Sequence, residues 1–312
     1  MNRIFKKALC LLCSVVTLCG CQGTAYTVPD ETVQTEAVSE TAENIIPVRK
    51  EKLSCTYYTE YDFNLHTAAA ELYETDGEIL CGTVPHHLTA GKMIAGFLKT
   101  AASSRTETET VFITATMHYP EGAPLCTSFL DWSTPFGTAE CDTEMTEQLA
   151  SALGAETDDD MASLDHSVSA LIPYVKYYFP EAKIAFLLVA NSAPDDTPEK
   201  ISALLEEFAE EKNCLFVFSA DFSHYLKPFE TEMRDEETLE AVMAQDYARV
   251  AQMTDSNVDS PHCLGTFMRL SSALGGETVL LDHSNSFEIS DLPYNDTTFG
   301  EGLTSYFVFA SV

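Results

Sequence analysis

The chain has 312 residues, and 45% of them are hydrophobic, which is enough to bury a sizeable core. Its 49 acidic and 17 basic residues give a formal net charge of −32. Because such a charge repels phosphate groups instead of neutralising them, it argues against nucleic acid as a partner.

Residues 1–21 have the pattern of a bacterial lipoprotein signal peptide. A short basic stretch, residues 1–7, precedes an apolar run over residues 8–18. This run is well below the roughly 20 residues that a transmembrane helix needs, so it predicts export and cleavage. The run leads into the sequence LCGC, which resembles a lipobox with Cys21 as the lipid-bearing residue. We therefore expect a protein anchored by lipid to the outer face of the cytoplasmic membrane; an ordinary secretory peptide cut nearby is the alternative.

Residues 22–50 are rich in Thr, Glu, Ser and Ala and have no apolar periodicity, which predicts a disordered stalk. Residues 51–312 contain no internal repeat and no further linker, so we expect them to form one domain. Six cysteines fall in this part of the chain without any C-x-x-C spacing. Their pairing stays open.

Short apolar and β-branched runs in the domain predict buried strands. They cover residues 79–83, 111–116, 183–190, 214–219, 278–282 and 304–311. Apolar residues at helical spacing predict helices over residues 90–102, 144–153, 166–178, 198–211 and 236–253. Strands that alternate with helices indicate βαβ units. We predict an α/β fold with a mostly parallel or mixed central sheet flanked by helices.

Histidines follow three of the predicted strands. His86 and His87 follow the first strand, His118 follows the second and His224 follows the fourth. Because the carboxyl ends of parallel strands meet in one crevice, these side chains are expected to lie together. Neutral imidazole is a common ligand of transition metals. The spacing itself carries no metal signature such as H-E-x-x-H, and a structural role for each histidine is the alternative.

The order of four motifs resembles the Memo family, whose bacterial members are often called AmmeMemoRadiSam system protein B. The motifs are Pro85-His86, Met117-His118, Asp165-His166-Ser167 and Ser219-Ala220-Asp221-Phe222-Ser223-His224. The corresponding family stretches read about P-H-A-G, G-P-N-H or G-P-S-H, E-H-S-x-E and S-S-D-x-S-H. The resemblance covers about residues 79–309, and the motif that ends in His224 is its most specific part.

The resemblance implies a fold related to that of class III extradiol dioxygenases, which cleave catechol rings with non-haem Fe(II). It also implies roles for six residues: His86 and His118 as metal ligands, Asp221 and His224 beside the metal, and His87 and His166 in the pocket wall. In these roles His224 moves a substrate proton and Asp221 orients a neighbouring group. For His166, a structural role at the start of a helix is an equal alternative.

The third metal ligand of the family is a cysteine before a glycine-containing helical segment, which implies Cys263 in this chain. If the helix from Gly265 is aligned with the family without a gap, Asp259 falls at the ligand position instead. His262 is a further candidate. A site of this composition is expected to bind one transition metal ion. Iron is the first choice, with copper and zinc as alternatives.

The chain departs from the family motifs at several positions. The Gly-Pro-Asn or Gly-Pro-Ser before the second family histidine is Ala115-Thr116-Met117 here, and the Ala-Gly after the first is His87-Leu88. The third motif lacks its second glutamate. These departures leave the reaction of this chain open.

Three functions follow from these observations. The first is a metal-dependent oxidoreductase, similar to a dioxygenase, that acts on a small-molecule substrate. The second is a surface lipoprotein that binds a metal ion or another ligand without turnover. The third is a surface interaction module whose metal site has decayed.

Overall fold

The structure, a computed structural model, describes residues 51–105, 107–119, 122–290 and 302–312. The predicted signal peptide, its lipobox at Cys21 and the stalk lie outside these ranges. The chain from Val48 to Val312 forms one compact unit.

The described residues form eleven strands and eleven α-helices. The strands are β1 (Leu53–Ser54), β2 (Cys81–Val84), β3 (Thr110–Thr116), β4 (Leu125–Thr127), β5 (Trp132–Thr134), β6 (Gly137–Ala139), β7 (Glu156–Thr157), β8 (Lys183–Val189), β9 (Cys214–Ser219), β10 (Thr278–Asn285) and β11 (Ser305–Ser311). The helices are α1 (Glu60–Ala69), α2 (Gly91–Ser104), α3 (Thr143–Leu153), α4 (Asp159–Leu164), α5 (His166–Ser169), α6 (Ile172–Tyr178), α7 (Thr197–Glu211), α8 (Pro228–Met243), α9 (Tyr247–Val250), α10 (Pro261–Ala273) and α11 (Ser286–Ser290). Within the described ranges, each helix is too short or too polar to cross a bilayer.

Eight strands form one mixed sheet in the order β10-β11-β2-β9-β3-β8-β4-β7. Its four central strands, β2, β9, β3 and β8, run parallel to one another. Strand β11 is antiparallel to β2, and β4 is antiparallel to β8. Strands β1, β5 and β6 form a second, three-stranded sheet. The predicted α/β fold with a mixed central sheet is confirmed.

The central strands are buried on both faces. On β3, Val111 and Ile113 belong to one hydrophobic cluster, together with Leu98 of α2. Phe112 belongs to a second cluster, together with Leu205 of α7. This alternation has the two-residue period of a strand, and burial of each large apolar side chain stabilises the fold by about 1.5–3 kcal/mol. Helices on both faces explain why these strands read as continuous apolar runs.

Two predicted helices are interrupted in the structure. The helix predicted over residues 166–178 is α5 followed by α6, and a proline occupies the first turn of α6. Proline has no N–H to donate, so it is tolerated at a helix start and not in a helix interior. The helix predicted over residues 236–253 divides into α8 and α9 near Gln245, whose φ is 53°. A residue in the left-handed region ends a helix.

The carboxyl ends of the parallel strands lie at the same level of the sheet. Val84 and Ala115 both pair with Ser219, and Thr116 pairs with Val189. The segments that follow the four strands therefore start at one edge, where ligand sites of open α/β sheets are found.

Candidate metal centre

A cavity of about 780 Å³ opens at this edge of the sheet. Segments that follow β2, β3, β8 and β9 contribute to its wall. Its histidine and aspartate lining residues are His86, His87, His118, His166, His224, Asp221, Asp255 and Asp259. We call this space the histidine cavity. Of the candidates named in the sequence analysis, it brings together five of the six histidines, Asp221 and Asp259.

The ring of His86 is held in one tautomer. The Ser219 hydroxyl donates to the carbonyl of Ser167 at 2.6 Å, so it accepts the proton of His86 Nδ1, 3.1 Å away. The lone pair of Nε2 therefore lies 3.3 Å from Asp259 Oδ2 and 3.5 Å from Asp221 Oδ2. Burial lowers the pKa of His86 well below its usual value, which keeps the ring neutral. The Nε2 lone pair of His86 thus faces two carboxylate oxygens, one of Asp221 and one of Asp259. A cation between these three atoms would stabilise the arrangement.

Asp165 orients His118 in the same way. Its Oδ1 accepts from His118 Nδ1 at 2.9 Å, and its Oδ2 accepts from the backbone N–H of His118 at 2.7 Å. The Nε2 atom of His118 remains free as an acceptor, 4.0 Å from Asp259 Oδ2. Burial alone would raise the pKa of Asp165, but the hydrogen bonds and the charge of His118 outweigh it and hold the pKa at about 2. An ionised carboxylate behind an imidazole is a common support for a metal ligand.

Asp259 is a buried carboxylate whose two oxygens have no hydrogen-bond donor in the described part of the chain. It lies two residues before α10, and its backbone N–H donates to the Asp221 carbonyl at 3.0 Å. Burial, and then the negative charge of Asp221, raise the pKa of Asp259 well above its usual value. A buried carboxylate is unfavourable unless a proton or a metal ion meets it. The residues of the histidine cavity therefore fit a metal ion.

Two sets of ligands can be drawn from these residues, and both contain His86 and His118. In the first, Asp259 completes a two-histidine, one-carboxylate set of the kind that binds non-haem Fe(II). In the second, the third ligand is His166, whose ring centre lies 4.1 Å from that of His118 and 5.1 Å from that of His86. The potential ligand atoms of these three histidines all lie within 4.8 Å of one another.

Residues 221–224 hold Asp221 and His224 against the histidine ligands. Asp221 Oδ1 accepts from the backbone N–H of His86 at 3.1 Å. The backbone N–H of His224 donates to the carbonyl of Asp255 at 3.0 Å. Its Nδ1 is buried, and nothing in the described ranges hydrogen-bonds to it. Burial lowers the pKa of His224 below its usual value, so the neutral ring can accept a proton near neutral pH.

Comparison with known proteins decides the family. Residues 64–294 match the family model described as Memo-like protein. The chain belongs to the Memo-like family. The resemblance drawn from the four motifs is therefore confirmed.

Relatives of this Memo-like chain include archaeal proteins. A MEMO1 family protein of Pyrobaculum arsenaticum is 27% identical over 263 residues, which cover 81% of this chain and 92% of the relative. A MEMO1 family protein of Pyrobaculum aerophilum is 29% identical over 246 residues, 74% of this chain and 85% of the relative. Among solved structures, an uncharacterized Escherichia coli K12 protein, JW3007, matches with a TM-score of 0.48 and 11% identity. It covers 74% of this chain and 99% of its own.

The Memo-like chain places Cys263 away from the histidine cavity. Cys263 is fully buried on α10, within the second hydrophobic cluster, and does not line the cavity. Burial raises the pKa of its thiol, which disfavours the thiolate that a metal ligand requires. His262, the other alternative, lines a neighbouring cavity. The geometry therefore favours Asp259, which the gapless alignment also indicates, as the third ligand.

His87 lies in the cavity wall, and its ring nitrogens have protein partners. Its Nδ1 lies 2.7 Å from the Tyr306 hydroxyl and its Nε2 lies 3.3 Å from the Thr89 hydroxyl. Sequence reasoning missed Asp165 and Ser219 as the partners that orient the ligating rings. The only signal was that both belong to the motifs that carry the family resemblance.

A buried hydrogen-bond network in the Memo-like domain supports residues 221–224 from behind. Asp235 of α8 accepts from the hydroxyls of Ser223 and Ser305 through Oδ1, the latter at 2.7 Å. Its Oδ2 accepts from His283 Nε2 at 2.8 Å. Ser223 directly precedes His224. The network thus fixes the backbone that carries His224.

Replacing Asp235 with asparagine should lower the free energy of unfolding by about 2–3 kcal/mol, because three donors then converge on a side chain with one acceptor oxygen. Urea denaturation followed by circular dichroism measures the change. The matched control is His283→Ala, which should cost less than about 1 kcal/mol because this side chain is 40% exposed. Equal stability of Asp235→Asn and the wild type would contradict a supporting role for the network.

Proposed function

We propose that this Memo-like chain is an exported, lipid-anchored metalloprotein that binds one iron(II) ion and oxidises or oxygenates a small molecule with it. The observation that carries the proposal is the buried carboxylate of Asp259, which has no hydrogen-bond partner among the described residues, beside the Nε2 atoms of His86 and His118. Two imidazoles and one carboxylate favour non-haem iron, with copper and zinc as alternatives.

The chain's own residues would prepare this reaction in two ways. Ser219 and Asp165 hold the rings of His86 and His118 so that both Nε2 atoms are free to bind. Bound iron(II) would supply open coordination positions for a substrate or dioxygen. His224, whose Nδ1 has no partner in the described part of the chain, would accept the proton of a substrate hydroxyl.

Asp221 would assist this proton transfer. Its negative charge raises the pKa of His224 and so opposes the effect of burial, which means that it stabilises the protonated ring. Asp221 itself accepts a hydrogen bond from the backbone of His86. One carboxylate therefore links the proton acceptor to a metal ligand.

The sequence over residues 1–21 supports export and lipid attachment at Cys21, which would hold the domain outside the cytoplasmic membrane. The substrate would then be a small molecule that reaches the cell surface.

The proposal is tested by replacing His224 with alanine. Elemental mass spectrometry should find near-stoichiometric iron in the tag-free wild type and in His224→Ala. Dioxygen uptake in a screen of catechols and other small reductants should fall by about 10²–10⁴-fold in the variant. The double variant His86→Ala/His118→Ala serves as the metal-free control.

If His224→Ala keeps its metal and also keeps the turnover of the wild type, the role assigned to His224 is wrong. A wild type that takes up no Fe(II), Cu(I) or Zn(II) under anaerobic conditions would refute the metalloprotein proposal as a whole.

A second function, metal binding without turnover, is favoured by His166. A fourth protein ligand beside His86, His118 and Asp259 would occupy a position that a substrate or dioxygen needs. Under this function His166→Ala should weaken metal binding by at least about tenfold, and His224→Ala should leave uptake and release of the metal unchanged. Under the enzymatic function His166→Ala should leave metal binding unchanged, and His224→Ala should lower turnover while the metal stays bound.

A further inference from the structure

A second cavity, of about 550 Å³, adjoins the histidine cavity. Asn191 and Asp255 line both spaces. The remaining wall comes from the segment after β8 and the start of α7, from α9 with the residues that follow it, and from α10 between Pro261 and Arg269. We call this space the outer cavity.

Helix α10 lines the outer cavity along one stripe. Pro261, Gly265 and Arg269 are spaced four residues apart, so they lie on one face of the helix and span about 12 Å along its axis. Gly265 leaves the middle of this stripe open, and an added Cβ would meet Pro198 only at 3.6 Å, an ordinary contact distance. Asp259 lies two residues before the helix. The outer cavity therefore extends from its boundary with the histidine cavity, at Asn191 and Asp255, towards Arg269.

Arg269 is oriented before any ligand arrives. Its guanidinium carbon lies 4.6 Å from the ring centre of Tyr247, and its Nη1 lies 3.2 Å from Glu199 Oε1. Glu199 is 61% exposed, so this ion pair is solvated and weak. The other guanidinium nitrogens have no hydrogen-bond acceptor among the residues that the structure covers. A planar guanidinium with free donors is suited to bind a carboxylate through two hydrogen bonds.

The rest of the lining restricts the ligand further. Part of the wall is apolar and includes Pro198, Met253 and the ring of Tyr247. Two exposed carboxylates, Asp195 and Asp255, also line the outer cavity, and Asp255 lies where it meets the histidine cavity. Since they repel additional negative charge, they disfavour phosphates and other polyanions. The chemistry that fits is a single carboxylate on an apolar chain.

We propose that the outer cavity binds the carboxylate tail of an elongated organic ligand whose other end reaches the metal centre. Arg269 binds the tail, and the space above Gly265 takes the apolar chain. For the metal-facing end this inference rests on the proposed function. The tail site itself depends only on the outer cavity.

Hydroxamates test the proposal, because the hydroxamate group binds the metal and the chain can be varied. Zn(II)-loaded protein is titrated calorimetrically with acetohydroxamate, with alkyl hydroxamates of graded length, and with the same chains ending in a carboxylate. At the matching length, the carboxylate should tighten binding by about tenfold, equivalent to about 1.4 kcal/mol. Arg269→Met, which keeps an unbranched apolar stem and removes the guanidinium group, should abolish this gain and leave acetohydroxamate binding unchanged.

Gly265 supplies a matched pair of variants. Gly265→Leu should fill the space along α10. It should weaken the binding of long alkyl hydroxamates, with or without the terminal carboxylate, by about tenfold and leave acetohydroxamate binding unchanged. Gly265→Ala fits at ordinary contact distance and should behave as the wild type. Circular dichroism of each variant checks that the fold is kept. If no chain length gains from a carboxylate, or if the gain survives Arg269→Met, the proposal is wrong.

A metal-free titration separates this inference from the proposed function. Hexanoate added to chelator-treated protein should bind weakly, in about the millimolar range, and Arg269→Met should remove that binding. Hexanoate binding without any binding of acetohydroxamate to metal-treated protein would support the tail site and refute the metal centre. Acetohydroxamate binding without an effect of Arg269 on either carboxylate probe would do the opposite.

Discussion

Replacing Asp259 with alanine should weaken iron(II) binding by more than about 100-fold, whereas replacing Cys263 with alanine should leave it unchanged. Asp259 Oδ2 lies within 4.0 Å of the free Nε2 atoms of both His86 and His118. The Cys263 thiol is buried in the hydrophobic core, where its raised pKa keeps it protonated. Anaerobic titration with Fe(II), followed by elemental mass spectrometry after gel filtration, measures the difference.

The same substitution should act on the metal-free protein in the opposite direction. Because Asp259→Ala removes a buried carboxylate without a donor in the described structure, we expect the free energy of unfolding in chelator to rise by about 1 kcal/mol. Cys263→Ala removes a buried sulfur atom and should lower it by about 1 kcal/mol. Metal binding lost in Cys263→Ala and kept in Asp259→Ala would reverse the assignment of the third ligand.

Replacing Asp165 with asparagine should lower the free energy of unfolding by about 2–3 kcal/mol and weaken metal binding by about 10–100-fold. The carboxylate is fully buried and accepts hydrogen bonds from the ring of His118 and from the backbone N–H groups of His118 and Ser167. Asparagine has one acceptor oxygen, and its NH₂ group would face donors. His118 would then lose its fixed tautomer.

The pH dependence of stability gives Asp165 a separate signature. Its pKa is about 2 in the folded protein, below the ordinary value of 3.8 for an aspartate side chain, so the folded-state pKa is depressed. The stability that it contributes is fully present above 3.8 and is lost as the pH falls towards about 2. Over this pH range, the free energy of unfolding should fall by about 2.5 kcal/mol.

Urea denaturation in the presence of chelator, at a series of pH values between neutral and about 2, measures this loss. Asp165→Asn should remove this part of the curve. Asp142, another buried carboxylate with a lowered pKa, lies outside the site, and Asp142→Asn provides the matched control. If Asp165→Asn loses as much stability as the wild type between pH 3.8 and about 2, the Asp165 carboxylate is not held ionised by His118.

Most of the central sheet could be predicted from the sequence, because its strands are covered on both faces and so appear as continuous apolar runs. Helix α1 was not predicted. Of its ten residues only Phe63 is buried, so no apolar stripe marks it. Helices α5 and α6 were predicted as one, because the period of the apolar residues does not reveal where a proline starts a new helix.

The candidate site, too, could be predicted only in part from the sequence. Histidines at strand ends could be brought together from topology alone, since the register of parallel strands is regular. The third ligand could not be assigned, because it depends on where α10 begins. The Ser260 side chain accepts from the backbone N–H of Cys263, which caps the helix after Asp259. Because the helix is capped at Ser260, Asp259 lies outside it and the side chain of Cys263 packs in the core.

The hydrogen bonds between residues 221–224 and residues 255–259 have a consequence for how this site can vary. Asp259 is tied to Asp221 by one backbone bond, and His224 is tied to Asp255 by another. The metal ligand and the proton acceptor therefore belong to one small ribbon of two paired segments. An insertion or deletion in either segment would shift the register of both, so that metal affinity and proton transfer would change together and could not be tuned one at a time.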